Sequence, residues 1–280
     1  MDLNFNNYKV SLMLTLKLIL INVNYLNFSS TFIYNQNKNM AKKHQRFIPN
    51  ILTLTNMFLG FIAIGLILQN DPLKAGTLIM LAGLLDAFDG KIARLLGIES
   101  QFGVEFDSMA DTISFCVVPA ILIHTFYVEG LHPLLGSAVS FLPLMCGTIR
   151  LAKFNIGQEK GIVKSYTIGL TTPISTITLF SFLMFNSEVY GNYGDPRTSI
   201  ILLSLVCFLM ISPIHFIKFP LLSFKSGKTN SIILIVFILC AIGIVWFRGL
   251  LLFPITILFI SWNILSWFLH LNKKQAEIKN

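Results

Sequence analysis

An all-α fold, a polytopic membrane bundle of helices, is the class this sequence predicts. Three observations predict it. Hydrophobic residues fill 54% of the 280 positions and charged residues only 12%. Apolar runs of membrane-spanning length succeed one another from Ile51 onward, and lysine and arginine gather between alternate runs. Soluble domains carry roughly a quarter charged residues, so the composition sets the chain among membrane proteins.

Taken in order, residues 1–39 stand apart: they are rich in Asn, Leu and Tyr, with a moderately apolar stretch over Val10–Val23 and no small-residue cleavage site. Met40 opens MAKKHQRFIPN, which reads as a natural start, so 1–39 are read as an extension without assigned function and 40–280 as one transmembrane domain. Eight apolar runs follow, at 51–69, 73–90, 105–128, 132–154, 167–187, 198–217, 230–247 and 249–271. Each is near the ~20 residues that cross ~30 Å of hydrocarbon as a helix. The break between the last two is short, so a tight hairpin or re-entrant pair would lower the count to six or seven.

Topology follows from the basic residues. With residues 40–50 in the cytoplasm, fifteen Lys and Arg fall on that side and three (Lys74, Arg197, Arg248) on the other. This asymmetry predicts both termini in the cytoplasm and suits an even helix count. The formal charge of +8 therefore reports topology, and the absence of a basic groove with interleaved aromatics excludes nucleic-acid binding. Cys116, Cys146, Cys207 and Cys240 all sit in apolar runs without CxxC spacing, which predicts buried thiols and neither a zinc site nor a disulfide framework.

Between the second and third runs the chain reads DAFDGKIARLLGIESQFGVEFDSMAD, the catalytic segment 86–111. Asp86 and Asp89 lie three apart at the cytoplasmic end of one helix, and Asp107 and Asp111 four apart at the start of the next. Both spacings put the pair on one helical face. A short connection makes the helices antiparallel neighbours, so the two pairs face each other just inside the boundary. Loop acids at a membrane surface are the plain alternative. Against it, Asp86 and Asp111 reach into apolar sequence, where an uncompensated carboxylate costs several kcal/mol. Lys91 and Arg94 are too few to neutralise four carboxylates, whereas hard divalent cations such as Mg²⁺ or Mn²⁺ suit them. Two ions bridged by four aspartates would make a phosphoryl-transfer centre. Gly90 would let a phosphate or ribose approach the backbone, Ala93 keeps the surface shallow, Arg94 can neutralise a phosphate, and Gly103 leaves room at the mouth of the helix. Helix packing is the alternative for each small residue.

The segment fits the pattern D-x2-D-G-x2-A-R-x8-G-x3-D-x3-D at Asp86, Asp89, Gly90, Ala93, Arg94, Gly103, Asp107 and Asp111. At ordinary residue frequencies an accidental match at one start is below about one in 10⁹. On these residues the chain resembles the CDP-alcohol phosphotransferase family. The resemblance implies metal binding by the first three aspartates, with the fourth also deprotonating the acceptor alcohol. It further implies that Gly90 and Arg94 hold the CDP part of the lipid, with Ser100, Asn50 and Thr53 as further nucleotide or pyrophosphate contacts. Asn50 and Thr53 have helix capping as their alternative.

Around the segment, IPNILTLTNMFLGFIAI (48–64), FDSMADTISF (106–115), RLAKFN (150–155) and GLTTP (169–173) resemble membrane-integrated bacterial phosphatidylserine synthases. The chain departs from that pattern at Cys116, where Gly is usual, and at Thr171, where Pro is usual. The implied partners are CDP-diacylglycerol, L-serine and membrane lipids, and a homodimer is expected from the resemblance alone. Arg150 and Lys153, closing the fourth run, are candidates to hold the acceptor carboxylate or lipid phosphates, with membrane anchoring as the alternative. Phosphatidylglycerophosphate synthase is the nearest rival, since its acceptor would also want cations here. A transporter would carry ionisable residues at mid-membrane on several helices; here the acids cluster at one face.

Overall fold

The computed structural model describes residues 47–96, 100–159, 166–217 and 250–279. The extension 1–39, the run 230–247 and Cys240 lie outside the described residues. The other seven apolar runs are built largely of helix.

Helix α1 spans Phe47–Leu68 and turns at Asn70, whose φ of 60° is the left-handed conformation that asparagine tolerates. Asp71 then accepts the backbone N–H of Lys74 at 3.2 Å and starts α2, Pro72–Leu96, with Pro72 in its first turn, where a missing N–H costs nothing. The Lys74 ammonium also meets Asp71 at 2.6 Å and holds that carboxyl below its usual range. This pair is exposed and stabilises little. The turn is short, so α1 and α2 pack as antiparallel neighbours.

Helix α3, Gln101–Thr112, opens on Ser100, whose hydroxyl accepts the Gly103 N–H at 3.1 Å. It continues through one wide π turn, Ile113–Val117, into α4, Val118–Phe126. Helix α5 is Pro133–Glu159, α6 Thr172–Tyr190, α7 Pro196–Ile211 and α8 Leu252–Lys279. Among the described residues four stretches are long and apolar enough to cross a membrane: Pro49–Leu68, Gln101–Phe126, Pro133–Gly157 and Leu252–Leu269. The remainder fall short for visible reasons. Helix α2 carries Asp86, Asp89, Lys91 and Arg94 in its second half, α7 has only 16 residues, and α6 is studded with hydroxyls. Those of Thr172, Ser175, Thr176, Thr178 and Ser181 are buried against neighbouring helices. Small hydroxyl residues let helices approach closely and bond across the interface.

Two expectations change. The all-α reading gains a short antiparallel ladder, β1 (Tyr166–Ile168) with β2 (His215–Ile217), pairing Thr167 with Phe216. Both strands were expected inside helical runs. Gly169, at φ 75°, and Pro213 break the helices on either side, and the Gly169 N–H bonds the Ile214 carbonyl at 2.8 Å instead. A side chain at Gly169 would collide with the Met210 carbonyl, so glycine is required there twice over. The fourth run does not stop at Lys153 either; α5 runs on to Glu159, about a turn and a half further.

The core lies where α1, α2, the π turn, α4, α6 and α7 meet, with Ala63, Ile67, Ile79, Phe115, Leu122, Phe180 and Leu203 fully buried. Phe61, Leu134, Ile201, Phe208 and Leu258 face outward, as they would toward lipid.

Candidate active site

The second half of α2 and the second half of α3 carry the aspartates. Asp86, Asp89 and Asp107 each place a carboxylate oxygen within 4.8 Å of the others. Asp111, one turn further along α3, is near enough to Asp86 for the two carboxyl groups to interact. Asp89 and Asp111 are buried, at 3% and 7% exposure, while Asp86 and Asp107 are half-buried. The two couples therefore meet through their carboxylates.

Neighbouring helices hold the carboxylates in place. Thr53 of α1 donates its hydroxyl to Asp89 Oδ2 at 2.7 Å, and the Gly90 N–H donates to Asp89 Oδ1. Directly after Asp111, the π turn leaves Phe115 O to accept the Thr176 hydroxyl of α6 at 2.7 Å, while Ser114 donates to the Asn56 carbonyl of α1 at 3.0 Å. A wide turn of this kind frees backbone groups for such cross-links and often sits beside functional residues. Gly60 allows the approach of α1, since a methyl there would stand 2.9 Å from Ser114 Cα. On the other flank Asn155 Nδ2 of α5 donates to Ser108 Oγ of α3 at 3.0 Å.

Arg150 enters from α5. It is 8% exposed, its Nη1 donates to Thr172 Oγ1 at 3.2 Å, and its charge acts on both Asp86 and Asp111. Its guanidinium carbon lies 5.5 Å from the Phe154 ring centroid. The RLAKFN and GLTTP stretches thereby acquire physical roles: Arg150 turns inward beside the exposed Phe154, Asn155 bonds Ser108, and Thr172 receives the arginine. Cys116 sits with its Sγ against Gly147, and Thr171 is the cap position of α6, so neither departure enters the aspartate cluster.

The other expected contacts are redistributed. Ser100 is engaged as the cap of α3, and Gly103 makes room for that Ser100 hydroxyl, 3.2 Å from where its Cβ would be, in place of an open mouth. Thr53 sits inside α1 and donates to Asp89. Asn50 Oδ1 lies 3.9 Å from a Cβ built on Gly103, beside the Ser100 cap. Lys153, three residues from the buried Arg150, is exposed. The side chains of Ala93 and Arg94 lie outside the described residues. Cys116, Cys146 and Cys207 are buried free thiols, as expected.

Sequence reasoning passed over Ser108, Ser114, Asn155 and Asn56, although all four stand inside the stretches that carried the resemblance. Their signal was polarity within otherwise apolar helix. The donor set of Asp86, Asp89 and Asp107 is all oxygen, closely gathered and anionic, which fits a hard divalent cation. Only Arg150 is described as a nearby buried cation, and Oδ1 of Asp111 has no hydrogen-bond partner among the described residues.

Comparison with known proteins agrees with this geometry. Residues 46–267 match the CDP-alcohol phosphatidyltransferase family, and the chain belongs to it. It is 30% identical over 220 residues to a CDP-diacylglycerol–serine O-phosphatidyltransferase of Helicobacter pylori, covering 78% of this chain and 90% of that one. A protein of the same description from Methanocaldococcus jannaschii is 35% identical over 174 residues, 62% of this chain and 75% of that one. An archaetidylserine synthase of Methanothermobacter thermautotrophicus is 34% identical over 171 residues, 60% and 69% of the two chains. The family and the four apolar helices together mark an integral membrane protein.

Proposed function

We propose that this member of the CDP-alcohol phosphatidyltransferase family transfers the phosphatidyl group of CDP-diacylglycerol to the hydroxyl of L-serine, giving phosphatidylserine and CMP. The observation that carries the reading is the meeting of Asp86, Asp89 and Asp107 within 4.8 Å, with Asp111 against Asp86. The serine acceptor is supported by the names of the relatives and by Arg150, a single buried guanidinium suited to one carboxylate.

Asp86, Asp89, Asp107 and Asp111 would hold divalent cations, Mg²⁺ or Mn²⁺, two in number. Such ions would supply charge neutralisation at the phosphates and lower the pKa of a bound hydroxyl. The chain's own residues do the rest. Arg150, steadied by Thr172, orients the serine carboxylate so that the hydroxyl lies against Asp111. Asp111 takes the hydroxyl proton as the serine oxygen forms a bond to the β-phosphorus in line with the departing oxygen. The bond from that phosphorus to the α-phosphate oxygen breaks, and CMP leaves with the electron pair. Gly90 and Arg94 hold the CDP moiety, with Ala93 keeping that surface shallow. Positioning and fixed charge supply most of the acceleration.

The same reading sets eight transmembrane helices with both termini and the active site on the cytoplasmic side, where CDP and serine are dissolved. Two copies would associate as a homodimer. The test is direct: membranes or purified protein receive CDP-diacylglycerol, Mg²⁺ or Mn²⁺, and labelled serine, glycerol 3-phosphate or inositol. Serine-dependent CMP release with labelled phosphatidylserine is expected. Turnover with glycerol 3-phosphate in place of serine overturns the acceptor. An Asp111→Asn variant should lose at least about a thousandfold in kcat, and full CMP release by that variant overturns its role as base.

A further inference from the structure

We infer that Asn56 of α1 is a further acceptor-binding residue, holding the amino-acid acceptor through its side-chain amide. This rests on the serine reading above and deepens it by assigning a residue that fixes which acceptor the site takes.

Asn56 has 0% exposure, yet neither its Nδ2 nor its Oδ1 has a hydrogen-bond partner among the described residues. Burying an amide without partners is unfavourable, and native proteins keep such a group rarely and for cause. Its place in the fold supplies the cause. Thr53, one turn before it on the same face, bonds Asp89 at 2.7 Å. The Asn56 carbonyl accepts Ser114 Oγ at 3.0 Å, and Ser114 stands three residues beyond Asp111. Because α1 and α2 are antiparallel, moving from Thr53 to Asn56 descends the same ~4.5 Å as moving from Asp89 to Asp86. Helical side chains lean toward the N-terminus of their helix, so the amide leans back toward the carboxylates.

Two more orphaned polar atoms belong to the same buried neighbourhood, Asp111 Oδ1 and Arg150 Nε. A carboxylate, a neutral amide and a guanidinium complement the three groups of a small hydroxy amino acid. Arg150 suits its carboxylate, Asp111 its hydroxyl, and Asn56 its ammonium through Oδ1, with Nδ2 left to donate. The amide is neutral, so it accommodates a zwitterion without setting a net charge against it. All three groups are closed off from water here, so binding requires the covering side chains to move aside.

The test uses the full-length chain in detergent or nanodiscs. Asn56→Leu keeps the volume and removes the polar atoms. The expected result is a serine KM raised at least tenfold, with the CDP-diacylglycerol KM and the metal concentration for half-activation within twofold of the parent. The thermal midpoint should not fall, because an unpaired amide has been removed. A structural role would give the reverse, a lower midpoint with an unchanged serine KM, and that result overturns the inference. A parallel rise in the metal requirement overturns it too. Should the leucine variant not fold, Asn56→Ala is read on the same three constants. Failure of the parent protein to use serine at all overturns instead the acceptor reading on which the inference rests.

Discussion

Replacing Thr53 by valine separates two roles for that residue. Valine keeps the β-branched shape inside α1 and deletes only the hydroxyl, which donates to Asp89 Oδ2 at 2.7 Å in a site 4% exposed. The same hydroxyl lies 3.1 Å from the Pro49 carbonyl, so its single proton goes to the shorter, charge-assisted bond. Such a bond is worth about 1.5–3 kcal/mol when its acceptor stays buried. Spent on orienting a cation ligand, that energy corresponds to about a 10- to 100-fold loss of metal affinity. The assay is CMP release titrated with Mn²⁺ or Mg²⁺ at saturating lipid and serine. Thr53→Val should shift the half-activation concentration upward by that factor, with kcat recovered to within about fivefold at saturating metal. The CDP-diacylglycerol KM should stay within about twofold. A raised lipid KM with an unmoved metal requirement would refute the reasoning and restore Thr53 as a nucleotide contact.

Arg150→Met should raise the serine KM about 10- to 100-fold, the worth of a buried guanidinium–carboxylate contact, while Lys153→Ala, altering an exposed side chain, should leave it within about twofold; equal effects of the two would refute the assignment. Gly60→Ala would put a methyl 2.5 Å from Ser114 Oγ and 2.9 Å from its Cα. Overpacking of this kind costs about 1–3 kcal/mol, read as a lower melting midpoint in detergent, and an unchanged midpoint would show that α1 is not pinned at the π turn.

The helical membrane class and the aspartate segment were legible because both depend on local pattern. A run of apolar residues needs a helix in lipid whatever surrounds it, and Asp86, Asp89, Asp107 and Asp111 sit on two faces joined by a short connection, so their meeting follows from helical spacing. The π turn was not legible. It arises where Phe115 O and Ser114 find partners on α6 and α1, 61 and 58 residues away, and no local spacing announces that. The strands at Tyr166–Ile168 and His215–Ile217 were hidden for a related reason, because each pairs only with the other across 49 positions.

Thr53, Arg150 and Lys153 illustrate the same division at the site. The sequence placed all three near the cytoplasmic boundary, and residue type alone suggested contacts with nucleotide or acceptor. Only packing decided that Thr53 bonds Asp89, that Arg150 turns inward to Thr172 and the carboxylates, and that Lys153, three residues on, is exposed. The sequence by itself determined the donor set of this protein, since four carboxylates at helical spacing within one short segment gather oxygen ligands that suit a divalent cation. The tertiary structure decided how the carboxylates are held and what stands across from them, because Thr53, Asn56, Arg150 and Thr172 come from three other helices and their directions are set by burial rather than by neighbours in the chain.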